Sequence, residues 1–215
     1  MKKLLSLSNV MILALLLLVG CSSSPKSSPP QIAAMSLSAS QQEIVDLFDL
    51  LDHEILQYEY TLSEEINVME IWVEIYHYGK LLTEVVRLQM FDSDAPLNKW
   101  IEKGDGKLTI IISRFEKNEF RWTMSSLGGR SVSDLWSAEE DDHMFSIRGA
   151  ITAPVPITNG KEIILYISRF TTGNALRSMN GDLQHYLEHP EELADNTYVH
   201  VIKARFTEKP FYERQ

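Results

Sequence analysis

Between Met69 and Tyr78 the chain alternates strictly. Met69, Ile71, Val73 and Ile75 fall on one side, and Glu70, Trp72, Glu74, Tyr76 and Tyr78 on the other. A period of two sends successive side chains to opposite faces of a strand. The aliphatic side must be buried, so this stretch demands a sheet with a core behind it. Further short apolar runs follow at 81–90, 107–115, 119–125, 143–152, 161–170 and 197–207. Turn signals separate them: Gly79-Lys80, Asp92 to Pro96, Gly104-Asp105-Gly106 and Glu116 to Asn118. Residues 126–142 read as loop, with Gly128-Gly129 and the acidic run Glu139-Glu140-Asp141-Asp142. Residues 173–196 are rich in Gly, Asn and Asp, with one helical turn around 181–188. That is about seven or eight strands at hairpin spacing, without β-α-β alternation. The expected fold is mainly β, an antiparallel β-sandwich or barrel-like domain.

One helix is expected ahead of the strands. Ser40-Gln41-Gln42-Glu43 has capping-box spacing, and Ile44, Leu47, Phe48, Leu51 and Ile55 recur at helical intervals. The pattern predicts an N-terminal amphipathic helix from about 41 to 55. Its polar side is acidic, which favours packing on the core over lying on a membrane. The tetrapeptide Ile112-Ser113-Arg114-Phe115 recurs as Ile167-Ser168-Arg169-Phe170. A duplicated half and a coincidence between two amphipathic strands both account for it.

The N-terminus reads as an address. Lys2 and Lys3 precede an unbroken apolar run of ten residues, Val10 to Val19. That suits a secretion signal and falls short of the ~20 residues of a membrane-spanning helix. Leu18-Val19-Gly20-Cys21 resembles the lipobox of bacterial lipoproteins. The resemblance implies cleavage between Gly20 and Cys21 and a diacylglycerol on the Cys21 thiol, with fatty chains such as palmitate holding the protein in the membrane. Ser22 after the cysteine is compatible with either a cell membrane or an outer membrane. The organisation read from this is a signal peptide at 1–20, a Ser/Pro-rich tether at 21–39 and one globular domain at 40–215. The stretch Trp72 to Lys80 with Gly106 to Ile110 is also similar to envelope lipoproteins of Gram-positive bacteria, a likeness that implies no functional residues.

Charge and cysteine use narrow the partners. The chain carries 20 basic and 30 acidic side chains. Without Lys2 and Lys3 the balance is 18 against 30, or −12. Such a surface is repelled by phosphate backbones, so nucleic acid is a poor partner, and membrane attachment falls to the lipid. Cys21 is the single cysteine. No internal disulfide can form, and the fold must be held by its core.

No catalytic signature emerges. There is no G-x-S-x-G elbow, no P-loop and no G-x-G-x-x-G after a strand. His185 and His189 are four apart, a spacing that suits zinc on a helix, but Pro190 follows directly and H-E-x-x-H is absent. Asp92-Ser93-Asp94 begins like a calcium loop, but Pro96 occupies the next ligand position. Neither metal nor cofactor is expected. The most suggestive surface is the polar side of the 68–78 strand, where Trp72, Tyr76 and Tyr78 interleave with Glu70 and Glu74. Rigid rings beside carboxylates can stack on sugar or peptide; the same rings can equally be covered by neighbours. The expectation is a membrane-anchored envelope lipoprotein acting as a non-enzymatic binding or adaptor module for an envelope protein or glycan. A polysaccharide or peptidoglycan hydrolase with paired carboxylates and a carrier of a small lipid or sugar are the alternatives.

Overall fold

The computed structural model describes residues 29–47, 53–91, 105–115, 118–126, 129–139, 145–172 and 178–208. The signal segment, Cys21, Asp92 to Pro96, Gly104, Gly128, Glu140 to Asp142 and His143 lie outside them.

In chain order the strands are β1 (Gln31–Met35), β2 (His53–Thr61), β3 (Val68–His77), β4 (Lys80–Phe91), β5 (Asp105–Arg114), β6 (Glu119–Ser126), β7 (Gly129–Val132), β8 (Trp136–Ser137), β9 (Phe145–Ala150), β10 (Val155–Pro156), β11 (Glu162–Thr171) and β12 (Tyr198–Thr207). Helix α1 is Ala39–Leu47 and α2 is His185–Glu188, followed by a 3-10 turn at Pro190–Leu193. One sheet runs β10-β1-β2-β5-β6-β7, with β8 also on β6; the other runs β4-β3-β12-β11-β9. Neighbours pair antiparallel throughout. The two sheets pack face to face as a sandwich and do not close into a barrel.

The alternation at 69–75 works as expected: Met69, Ile71, Val73 and Ile75 are all fully buried. They share one core with inner-face residues of the opposite sheet such as Tyr58, Leu108, Ile110 and Met124. A polar contact also joins the sheets. The Tyr58 hydroxyl donates to the Leu165 carbonyl at 3.0 Å. Leu165 sits where the β11–β12 register slips between Ile164 and Tyr166. A bulge leaves a residue outside the ladder, and this carbonyl takes bonds from Tyr58 and from the Ile151 amide at 3.1 Å instead.

The N-terminal region departs from the expectation in three ways. The helix is shorter and begins earlier than 41–55, and His53 to Ile55 are strand, with Ile55 opposite Ile111. β2 is the central link between β1 and β5. Nine ladder pairs with β5 outweigh the local helical spacing of Ile55. The capping box exists two residues upstream of the expected one. The Ser38 hydroxyl accepts from the Gln41 amide at 3.3 Å, and the Gln41 side chain accepts from the Ser38 amide at 2.9 Å. Gln31 to Met35, expected within the tether, form β1, with Ile32 fully buried. A second helical element, α2, falls inside the turn expected at 181–188.

The segment 178–196 forms an outer layer on the second sheet. Leu183, Tyr186 and Leu193 are buried in it. The Gln184 side chain bonds both backbone groups of Ile164, at 3.0 and 2.8 Å, as a neighbouring strand would. β11 is consequently buried on both faces from Ile163 to Thr171.

The β3–β4 hairpin turns through two residues with positive φ, Tyr78 at 45° and Gly79 at 72°. That is the type I′ geometry matched to strand twist. A Cβ on Gly79 would lie 2.7 Å from the Ala194 Cβ and 2.9 Å from its Cα, so the outer layer closes directly on the turn. Gly79→Ala should therefore lower stability by about 2 kcal/mol or more, read as a lower urea midpoint. An unchanged midpoint would mean that the outer layer does not rest on this turn.

Candidate functional site

At one end of the sandwich the core changes character. β2, β5 and β6 of one sheet and β9, β11 and β12 of the other enclose a cavity of about 180 Å³. Its walls include Glu54, Arg114, Trp122, Arg148, Tyr166 and His200. Strand alternation places them there. Ile112 and Arg114 are two apart on β5, Phe120 and Trp122 on β6, and Tyr166, Ser168 and Phe170 on β11.

The mouth is polar. Glu54 Oε2 accepts from the Tyr166 hydroxyl at 2.6 Å and from Arg148 Nη1 at 3.2 Å. These contacts join β2 to β11 and β9, and so cross between the sheets. Burial, then the charge and hydrogen bond of Glu54, push the Tyr166 phenol well above its ordinary range, so its proton stays in place. The guanidinium of Arg114 lies 5.7 Å above the Phe120 ring.

The interior is aromatic. The His200 imidazole is boxed by Phe120, Trp122, Trp136 and Phe170, with ring centroids 4.9, 5.2, 5.0 and 4.6 Å away. Three buried polar atoms on the cavity's lining residues find no hydrogen-bond partner: Trp122 Nε1, Ser168 Oγ and His200 Nε2. Ser168 lies near enough to ease ionisation of Tyr166 slightly. Buried polar groups are ordinarily satisfied, and each exception costs about 1–3 kcal/mol. The three come from both sheets, and their unpartnered atoms are closed to solvent.

A larger hollow, about 300 Å³, lies between residues 151–156 and 181–184. Among the described residues it is lined by one charged side chain, Asp182.

The strand face singled out by sequence is built differently from an open patch. Trp72 is only 2% exposed and Glu70 only 1%. Arg87 and Arg205 lie 4.8 and 5.4 Å from the Trp72 ring centre. The indole donates to Glu74 at 2.8 Å, and Tyr76 donates to the same carboxylate at 2.5 Å. Lys203 reaches Glu74 at 2.9 Å and Glu162 at 3.1 Å, and Arg205 bonds Glu70 at 2.8 Å. Burial pushes Glu74 up, but the bonds from Tyr76, Trp72 and Lys203, with the lysine's charge, hold it below its ordinary value. Tyr78 is exposed, but it belongs to the hairpin turn. Cross-strand cations close this face: β12 brings Lys203 opposite Trp72 and Arg205 opposite Glu70, and β4 brings Arg87 opposite Trp72.

The histidines of 185–189 do come together, with ring centroids 4.4 Å apart. Each pairs with its own carboxylate, His185 with Glu192 at 2.9 Å and His189 with Glu191 at 3.2 Å. Among the described residues no group of three or more His, Cys, Asp or Glu side chains is placed to hold a metal ion. The repeated tetrapeptides lie on different sheets and out of phase: Ile112 and Arg114 line the cavity from β5, whereas Ser168 and Phe170 do so from β11. A further pair, His53 Nδ1 and Ser113 Oγ at 2.8 Å, sits outside the cavity. Sequence reasoning missed His200, Ser168, Glu54 and Arg148 because they come from four strands with no motif linking them. The available signal was a lone histidine inside an apolar strand, Val199-His200-Val201.

Burial alone pushes the His200 imidazole from an ordinary 6.5 down to about 3. The surrounding rings offer it no charge. As pH falls, the unfolded chain binds this proton first and the native state refuses it, so stability falls. The contribution is complete above pH 6.5 and is lost as pH drops towards 3, at up to ~1.4 kcal/mol per pH unit. His200→Phe should flatten the decline of the urea midpoint between pH 7 and pH 4. A parallel decline in both proteins would contradict the neutral, boxed imidazole.

Residues 31–206 match the YgaN domain family. The match begins at the first residue of β1 and ends within β12, so it spans the sandwich. No curated protein matches the chain. No solved structure matches it. The chain belongs to the YgaN domain family.

Proposed function

We propose that the chain is an exported envelope protein, anchored through lipid on Cys21, whose sandwich is a non-catalytic binding module. The inter-sheet cavity is where it takes its ligand. One observation carries this reading: the two sheets leave a solvent-reaching cavity of about 180 Å³ whose mouth is built from Glu54, Arg148 and Tyr166 over an aromatic interior. A small polar molecule would meet the partly exposed Glu54 and Arg148 side chains there and find hydrogen-bond partners. The lipobox-like Leu18-Val19-Gly20-Cys21 and the acidic net charge support attachment by lipid rather than by the protein surface.

The chemistry of the cavity favours binding over hydrolysis. Among the described residues Glu54 is the one carboxylate on its walls, and it is already held by Tyr166 and Arg148. A two-carboxylate mechanism would need a second acid across the cleft. The small-ligand carrier is favoured by the cavity's position between the sheets, but only for a small polar ligand. About 180 Å³ is below the ~300 Å³ of ordinary ligand pockets, and an acyl chain would have to pass a mouth lined by charged Glu54, Arg114 and Arg148.

Labelled palmitate should enter the wild-type protein and not Cys21→Ser, which should leave the membrane fraction. Label-free wild-type protein would end the anchoring part of the proposal. Protein taken from its own envelope and denatured should release a small molecule detectable by mass spectrometry, at near one per chain. Release of nothing would remove the binding-module part.

A further inference from the structure

We infer that the mouth of the inter-sheet cavity binds the carboxylate of a small, singly charged organic acid. Arg148 would take the carboxylate oxygens and Arg114 would add charge. Glu54 would hold Arg148 in place and bar a second negative charge. The inference rests on reading the cavity as a binding site and names the ligand class for it.

Charge selects an anion. The chain as a whole is acidic, with 20 basic side chains against 30 acidic ones. The cavity inverts that balance. Among the described residues its walls carry two guanidiniums, Arg114 and Arg148, against one carboxylate, Glu54. Tyr166 keeps its proton and His200 is neutral, so neither alters the count. The one positive charge left over suits a single negative charge. A phosphate monoester carries about −1.5 to −2 near neutral pH, so it would overfill the site and meet Glu54 as a like charge.

Geometry selects a carboxylate. Arg148 Nη1 bonds Glu54 Oε2 at 3.2 Å, and the same oxygen accepts from the Tyr166 hydroxyl at 2.6 Å. The bond to Glu54 holds the guanidinium at the mouth and uses one of its five N–H donors. The Arg148 side chain is 43% exposed, so a planar pair of oxygens can reach it from solvent. Guanidinium and carboxylate match as two parallel N–H···O bonds, each stronger than a bond between neutral groups. Unlike the unpartnered atoms closed off deeper in the walls, this group is open to an incoming molecule.

Size keeps the acid small. Each water takes ~30 Å³ of liquid volume, so about 180 Å³ corresponds to about six water-sized groups. Little apolar wall is open behind the mouth: Ile112 is 7% exposed and Phe120 only 3%. A long chain would gain little contact there, whereas a body of one ring or less fits. A longer molecule would have to extend outwards from its carboxylate.

The test uses full-length lipidated protein in nonionic detergent micelles at low salt. Binding is read by NMR as saturation transfer from protein to probe, with empty micelles as the blank. The probes are acetate, benzoate and acetylated trialanine, the amide of each, benzylamine and phenyl phosphate. At least one carboxylate should bind saturably. Its amide, benzylamine and phenyl phosphate should bind at least about tenfold more weakly. Arg148→Gln should weaken carboxylate binding about tenfold or more, as the loss of charge-assisted hydrogen bonds implies. Arg114→Gln should weaken it about threefold and Glu54→Gln should tighten it about threefold, as one charge changed at a partly exposed site implies. Tightening is an effect that damage to the fold does not produce. Tighter binding of the tripeptide than of the free acids assigns the mouth to a peptide end, and equal or weaker binding assigns it to a free acid.

The inference is overturned if no carboxylate binds saturably, if an amide, amine or phosphate counterpart binds as tightly, or if Arg148→Gln and Glu54→Gln bind like wild type. If envelope-derived protein carries a neutral or cationic molecule, the carboxylate assignment falls alone and the binding module stands. If it carries nothing, both fall.

Discussion

The box of aromatic rings around His200 fixes how the two sheets meet at one end of the molecule. Phe120, Trp122 and Trp136 come from the first sheet, and Phe170 and His200 from the second. Elsewhere aliphatic side chains interdigitate and fill the ~10 Å between sheets. Broad, rigid rings fill such a gap less completely, and a cavity remains beside them. The imidazole adapts to this setting by staying neutral. The Glu54–Tyr166 and Glu54–Arg148 bonds then hold the mouth by tying strands of both sheets together.

The outer face of the second sheet shows what satisfied polarity looks like in the same protein. There Glu70, Glu74, Arg205 and Lys203 are largely buried, and each has partners within hydrogen-bond or ion-pair distance. The network clamps Trp72 and locks β4, β3, β12 and β11 in register. Polar groups so well matched are structural. The cavity's mouth differs: Glu54 and Arg148 are paired there but partly open to solvent.

Much of the fold was legible in the chain. Alternation at Met69 to Ile75 marks the core side of β3, and the hairpin spacing that follows marks most of the later strands. Three things were hidden for physical reasons. β1 is short, and its Ile32 stands among small and polar neighbours. Ile55 fits a helical pattern until β1 and β5 offer β2 a place in a ladder. Whether Trp72 is exposed or covered stays open in the sequence because the cations that cover it lie 15 and 133 positions away, on β4 and β12. The cavity was illegible for the same reason: Glu54, Arg148, Ser168 and His200 share no spacing, and only sheet topology brings them together.

The most direct test of this account is the electron density inside the cavity, in a high-resolution crystal structure of protein purified from its own envelope. The account predicts a molecule larger than water within hydrogen-bond distance of Glu54 or Arg148 at the mouth. Density for ordered water alone would mean that the cavity is a hydrated packing defect and not a binding site.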